Sequence, residues 1–136
     1  MVDADIKWLE RFGEWKPEKE LSLSKLEAIL KTTGVYALLA DIPRGRCIGQ
    51  SRILYIGNGF VGDRLWCVID PTHGEKHAAF AGTQRLKHQE PKLKLSFTYL
   101  GIGKKEAEEK ETVLLRACEE TFGELPPFNC QRGKED

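Results

Sequence analysis

One carboxylate in this chain stands where an apolar residue belongs. From about Lys105 to Phe122, Ala107, Leu114, Leu115, Cys118 and Phe122 recur at helical spacing. At about 100° per residue they form one apolar stripe roughly 100° wide. Glu106, Glu109, Glu119 and Glu120 fall on its flanks or opposite it, as solvated charges do, but Glu111 falls in its middle. Burying an unpaired carboxylate costs several kcal/mol, so Glu111 needs a cation, a set of donors or a metal. Two uses are open: a structural pair with an arginine, or a hard oxygen ligand for Mg²⁺ or Mn²⁺ projecting into a cleft.

Other chemistry-bearing side chains are more scattered. His73 and His77 have three residues between them, and His88, Cys47 and Cys67 could be added to make a zinc set. No paired cysteine accompanies the histidines, so zinc spacing is incomplete. Solvent-facing histidines are the simpler expectation. The four cysteines, Cys47, Cys67, Cys118 and Cys130, contain no C-x-x-C pair and suggest free thiols in a reducing compartment. Gly57-Asn58-Gly59-Phe60-Val61-Gly62 matches a dinucleotide glycine fingerprint in spacing. The segments after it do not alternate as parallel strands and helices, so the match is accidental.

These residues must be held by elements that the sequence also outlines. Ile6, Leu9 and Phe12 have helical spacing in residues 4–16, and Pro17 ends that segment. A second amphipathic stretch runs from Leu21 to Lys31. Trp8, Phe12 and Trp15 either cap the core or form an interface. Gly34 opens a β-rich run to Ile42, and Pro43-Arg44-Gly45-Arg46 reads as a turn. Ile53 to Ile56 makes a second strand, giving a hairpin with a long loop. A helix carrying Val61, Leu65 and Val68 follows, then a weaker helix over 75–88. Leu93, Leu95, Phe97 and Tyr99 alternate with polar residues as a half-buried strand. The helix bearing Glu111 stops at Gly123. The outline is an α+β domain with a small three-stranded antiparallel sheet flanked by helices, two of them extra and N-terminal. The expected divisions are an N-terminal helical extension packed on the core over 1–33, a main domain over 34–130, and a polar tail over 131–136.

Gly34-Val35-Tyr36 stands in the first main strand and Tyr55-Ile56-Gly57 in the second. Arg64 follows nine residues after Tyr55 at the start of a helix, Glu111 lies in the last helix, and Asn129 follows Pro126-Pro127-Phe128. This order resembles the GIY-YIG nuclease family, with Val in place of the first motif's Ile, over residues 34–130. The resemblance implies a metal-dependent endonuclease hydrolysing phosphodiester bonds in DNA with one divalent ion, Mg²⁺ or Mn²⁺. By the same carry-over, Tyr36, Tyr55, Arg64, Glu111 and Asn129 form the catalytic set. Glu111 holds the metal, Tyr36 contacts or deprotonates the attacking water beside Tyr55, Arg64 stabilises phosphate charge, and Asn129 braces the site. The segment from Asp41 to Arg52 is longer than the family's turn and is expected to make an enlarged loop near the site. A protein that keeps this fold without catalysis, as a nucleic-acid-binding or interaction module, is the alternative.

The 136 residues carry 21 Lys+Arg and 21 Asp+Glu, so the net charge is zero. The balance is uneven along the chain: residues 34–104 hold 10 cationic and 5 anionic side chains, whereas residues 105–136 hold 5 and 9. Arg44, Arg46, Arg85, Lys87, His73 and His77 are therefore candidate substrate-binding residues. The small basic share predicts weak non-specific affinity, with substrate structure, a targeting partner or a second copy of the chain supplying selectivity. No run is apolar enough for a membrane span and no basic-then-apolar leader is visible, which suggests an intracellular, cytoplasmic protein.

Overall fold

The computed structural model of the chain describes residues 3–70, 72–73 and 78–129. His77, Cys130 and the expected tail over 131–136 lie outside the described residues. In chain order the elements are α1 (Ala4–Glu10), β1 (Lys19–Glu20), α2 (Leu23–Glu27), β2 (Thr33–Gly45), β3 (Gln50–Phe60), α3 (Val61–Ile69), α4 (Ala78–Gln89), β4 (Leu95–Gly101) and α5 (Lys104–Phe122). The strands form one antiparallel sheet in the order β1-β4-β2-β3. The class is α+β, as expected, but the sheet has four strands rather than three. The addition is β1, in which Lys19 and Glu20 pair with Phe97 and Ser96. Two charged residues carry no alternation, so nothing in their types announces a strand; β4 simply has edge groups that need partners.

Apolar residues cover both faces of the sheet. Val35, Ala37 and Leu39 of β2 pack with Ile53, Ile56, Leu100 and the Leu114–Cys118–Phe122 stripe of α5, and with Trp8 and Leu9 of α1. Tyr36, Leu38 and Ala40 point to the other layer, with Leu26 of α2 and Val61, Leu65 and Val68 of α3. This explains why residues 35–40 read as a continuous apolar run: a central strand buried on both sides needs no polar face. Phe12 and Trp15 pack against the α5 layer, so the N-terminal aromatics join the core.

The first helix is shorter than its apolar spacing suggests. Asp3 caps it by accepting from the N–H groups of Asp5 and Ile6. It ends at Glu10, and Gly13 takes a positive φ of 154° where the chain passes against Leu100. The second N-terminal helix likewise contracts to Leu23–Glu27.

The expected loop over 41–52 is a correction of a different kind. β2 and β3 extend into it, pairing Arg44 with Ser51 and Gly45 with Gln50 beyond an irregularity that contains Pro43. The hairpin tip lies at the C-terminal end of α5, where Ile48 N–H donates to Phe122 O (2.8 Å) and Cys47 N–H donates to a Glu124 carboxylate oxygen (2.6 Å). The N-terminal end of α5 follows β4, whose last residue Gly101 pairs with Gly34. Nineteen residues of helix separate the two ends, about 27 Å at 1.5 Å per residue. The hairpin tip and the paired glycines thus mark opposite ends of the domain.

Candidate active site

At the glycine end of the hairpin, Tyr36 pairs with Gly57 across β2 and β3, and Leu38 with Tyr55. The register slips between Leu38 and Leu39, which next pairs with Ile53 and so leaves Leu54 as the extra residue. That bulge sends both Leu54 and Tyr55 to the Tyr36 face. The two tyrosine rings become diagonal neighbours, with centroids 6.2 Å apart and planes 36° apart. Gly57 is required by this arrangement: a Cβ there would lie 2.6 Å from the Tyr36 hydroxyl and 2.8 Å from Cε2 of Tyr55. The absent side chain lets the Tyr36 phenol lie over the backbone of the neighbouring strand.

Tyr36 and Tyr55 are 1% and 8% exposed. Burial pushes the Tyr36 phenol well above its ordinary pKa; the nearby Tyr55, Glu111 and Cys67 push it the same way, and only Arg64 opposes them. The phenol is therefore protonated at neutral pH. Arg64, from the first turn of α3, and Glu111, from α5, thus bias that phenol in opposite directions. Glu111 is buried, 9% exposed, among the residues of the apolar stripe.

Asn129 acts on the backbone. Its side chain is fully buried; Oδ1 accepts from Ile56 N–H and Nδ2 donates to Ile56 O, each at 2.9 Å. β3 is an edge strand, and this amide satisfies its outward groups as one more strand would. Ile56 immediately precedes Gly57, so the clamp fixes the strand beneath Tyr36.

Arg64 opens onto a cleft of about 660 Å³ lined by Thr33, Asn58, Gly59, Phe60, Asp63, Cys67, Lys104 and Glu108. Tyr36, Tyr55 and Glu111 are not in its described lining; they are the buried part of the site. Lys104, Glu108 and Glu111 stand at i, i+4 and i+7 of α5 and share one helical face. The period that singles out Glu111 in the sequence would also have found the two cleft residues above it. Phe60 was not anticipated either, although an aromatic between a strand and a helix, four residues before Arg64, was the available signal.

Comparison of the chain with protein-family models, curated proteins and solved structures finds no match. The site stands on its geometry alone.

The remaining candidates divide sharply. His73 is near the cleft: its Nε2 lies 2.7 Å from Oδ1 of Asp63, and its ring stacks on Trp66. Arg44 and Arg46 are not. Arg44 donates both arms of its guanidinium to Glu90, at the hairpin's far end. The Arg46 side chain is 1% exposed, lies over the Phe122 ring at 5.1 Å, and donates to the carbonyls of Glu124 and Leu125. Both are structural where substrate contact was expected. Arg85 and Lys87 are exposed on α4 and do not line the cleft. Cys47, at the hairpin tip, and Cys67, in the cleft, are at opposite ends of the molecule, so the zinc set is not assembled.

Among the described residues no group of three or more His, Cys, Asp or Glu side chains is placed to hold a metal ion. A single buried carboxylate fits a different mode. Mg²⁺ commonly keeps several waters and is held by one or two carboxylates together with substrate phosphate. The donor chemistry of Glu111 fits such a shared ion, and that of Mn²⁺ equally. Among the described residues no helix is long and apolar enough to cross a membrane.

Proposed function

We propose that the chain is a GIY-YIG-type endonuclease that hydrolyses phosphodiester bonds in DNA. The observation that carries this reading is the packing of the Tyr36 and Tyr55 rings over Gly57, centroids 6.2 Å apart, with Arg64 and Glu111 near enough to bias the Tyr36 phenol. Glu111 would hold one Mg²⁺ or Mn²⁺, and that ion supplies the charge that acidifies water and neutralises a leaving oxygen. Arg64, exposed at the cleft, presents a planar fork of donors to the scissile phosphate and keeps its charge at any working pH. Tyr36 orients the attacking water through its phenol oxygen. Tyr55 keeps that phenol in place, and Asn129 fixes the strand under it.

The charge left near the cleft is small, so selectivity rests on the structure of the DNA, on a targeting protein or on a second copy of the chain. A cytoplasmic setting belongs to the same proposal. One observation favours the non-catalytic alternative: Tyr36, Tyr55 and Glu111 are all less than a tenth exposed. A binding module would use Arg64 and the cleft without the buried trio. The experiment compares cleavage of branched, nicked and linear DNA with Mg²⁺ or Mn²⁺ by the wild type and by Glu111→Ala. Cleavage by the wild type and its loss in the variant support the nuclease. A folded wild type that cuts none of them supports the binding module, and equal cutting by both proteins removes Glu111 from the metal.

A further inference from the structure

Phe60 is 52% exposed beside the Arg64 cleft, although the rest of β3 is largely buried. Its position is not a matter of slack backbone. Phe60 pairs with Thr33 at the end of the β2–β3 ladder and is the N-cap residue of α3. The adjoining Val61 and Gly62 N–H groups donate to Thr32 O (2.8 Å) and Ile29 O (3.0 Å). A backbone held at each of these points fixes the place from which the phenyl ring projects.

The surroundings indicate what the ring meets. Thr33 and Asn58 supply hydrogen-bonding groups, and Arg64 from α3 and Lys104 from α5 bring cations to the same cleft. Two carboxylates also line it, but the Asp63 carboxylate is engaged by His73, which leaves Glu108. Gly59, with φ at 127°, keeps the wall between Phe60 and Arg64 bare; a Cβ there would come within 3.2 Å of Arg64 Nε. An aromatic face, polar groups and cations around about 660 Å³ match the base, sugar and phosphate of one nucleotide.

We propose that this cleft takes one unpaired nucleotide, with its base stacked on Phe60 and its phosphate between Arg64 and Lys104. This rests on the DNA-directed reading above and adds its substrate class. In a continuous duplex both faces of each base are already stacked, so only a strand that is single, flapped or splayed at that point offers a free face. Phe60 is then a specificity-determining residue, and the substrates are DNAs with an unpaired nucleotide beside the bond to be cut.

The test measures binding in EDTA, so it does not depend on cleavage or on Glu111. Fluorescence anisotropy compares a labelled single strand of about 15 nucleotides, a flapped duplex and a blunt duplex of the same sequence. The wild type should prefer the single strand and the flap. Phe60→Ala should weaken those two by roughly five- to 150-fold, the range for loss of one base–aromatic stack, and leave the duplex nearly unchanged. Phe60→Trp should restore the preference, with indole fluorescence quenched on binding. Phe60→Leu, which keeps apolar bulk without a π face, should not restore it. Equal binding of all three DNAs by the wild type, no binding at all, or unchanged single-strand affinity in Phe60→Ala overturns the proposal. Thermal melts exclude misfolding, which the exposure of the ring makes a small concern. If binding behaves as expected while no DNA is ever cut, the nuclease reading fails and this one stands.

Discussion

A hydrogen atom at Gly57 decides where Tyr36 can be. A methyl group there would meet the phenol oxygen at 2.6 Å and the Tyr55 ring at 2.8 Å, so Gly57→Ala must push one or both rings aside. Overpacking of this kind costs about 1–3 kcal/mol. We expect Gly57→Ala to lose that much stability in urea unfolding and to lose cleavage as fully as Tyr36→Phe. A Gly57→Ala variant that unfolds and cuts normally would show that the rings accommodate a Cβ there, and a Tyr36→Phe variant that cuts normally would show that the phenol hydroxyl has no role. The tyrosines, Arg64 and Glu111 were legible in the sequence because each carries a mark visible locally: a tripeptide on a strand, a helix start, a break in an apolar stripe. Arg44 and Arg46 show the opposite case. Their charge is visible, but Glu90 lies 46 residues from Arg44, and Glu124 lies 78 from Arg46; no local pattern reveals which cations are already paired.

Among the elements, the β2–β3 hairpin and α5 behave as a pair of beams joined at both ends. At the far end Arg46 stacks on Phe122 and donates to the carbonyls of Glu124 and Leu125 just past the helix, whose C-cap Gly123 has φ 77°. Arg46→Met keeps the apolar stem on the ring and removes the charged donors. It should cost about 1.5–3 kcal/mol in urea unfolding while leaving DNA affinity and salt dependence unchanged. A fall in affinity without a fall in stability would return Arg46 to the substrate side. The hairpin's length was hidden because Pro43 and Gly45 are turn formers, and a bulged strand that uses them looks locally like a loop. The helix order and the Glu111 stripe were readable, since a 3.6-residue period repeats over several turns. The two-residue β1 offers no period at all.

For the molecule as a whole, charge serves to tie the N-terminal segment to the sheet. Buried Arg52 pairs with Asp3 and Glu18 and donates to Ala40 O; buried Asp5 accepts from Ser51 Oγ (2.6 Å) and from Arg52 N–H (3.0 Å). Partial burial raises the Asp3 carboxyl, but the Ile6 N–H and the Arg52 guanidinium outweigh it and leave the group below its ordinary value. The Arg44 guanidinium likewise holds Glu90 below its own. Depressed carboxyl values in the folded chain mean stability that is complete above the unfolded carboxylate range and is lost as pH falls through the folded values. The melting temperature should therefore be flat from neutral pH to about 5 and decline below about 4. Arg44→Gln should shallow that decline, and an unchanged acid profile would show that the Glu90 pairing contributes nothing. Net neutrality also acquires a different meaning: in the basic middle of the chain, Arg44, Arg46 and Arg52 are committed to protein partners. Of the cations left in that stretch, Arg64 and Lys104 line the cleft, whereas Arg85 and Lys87 lie exposed on α4 away from it.

The Asn129 amide also ties together distant parts of the chain. The β2–β3 hairpin closes across a four-residue tip, whereas Asn129 reaches Ile56 from 73 positions away. Contacts of such separation carry a larger loop-closure cost than local ones. The strand under Tyr36 is thus closed by a local turn but fastened by residues that lie beyond α5. A chain cut short before Asn129 would still contain both tyrosines, Arg64 and Glu111, on a sheet whose edge had never been fastened.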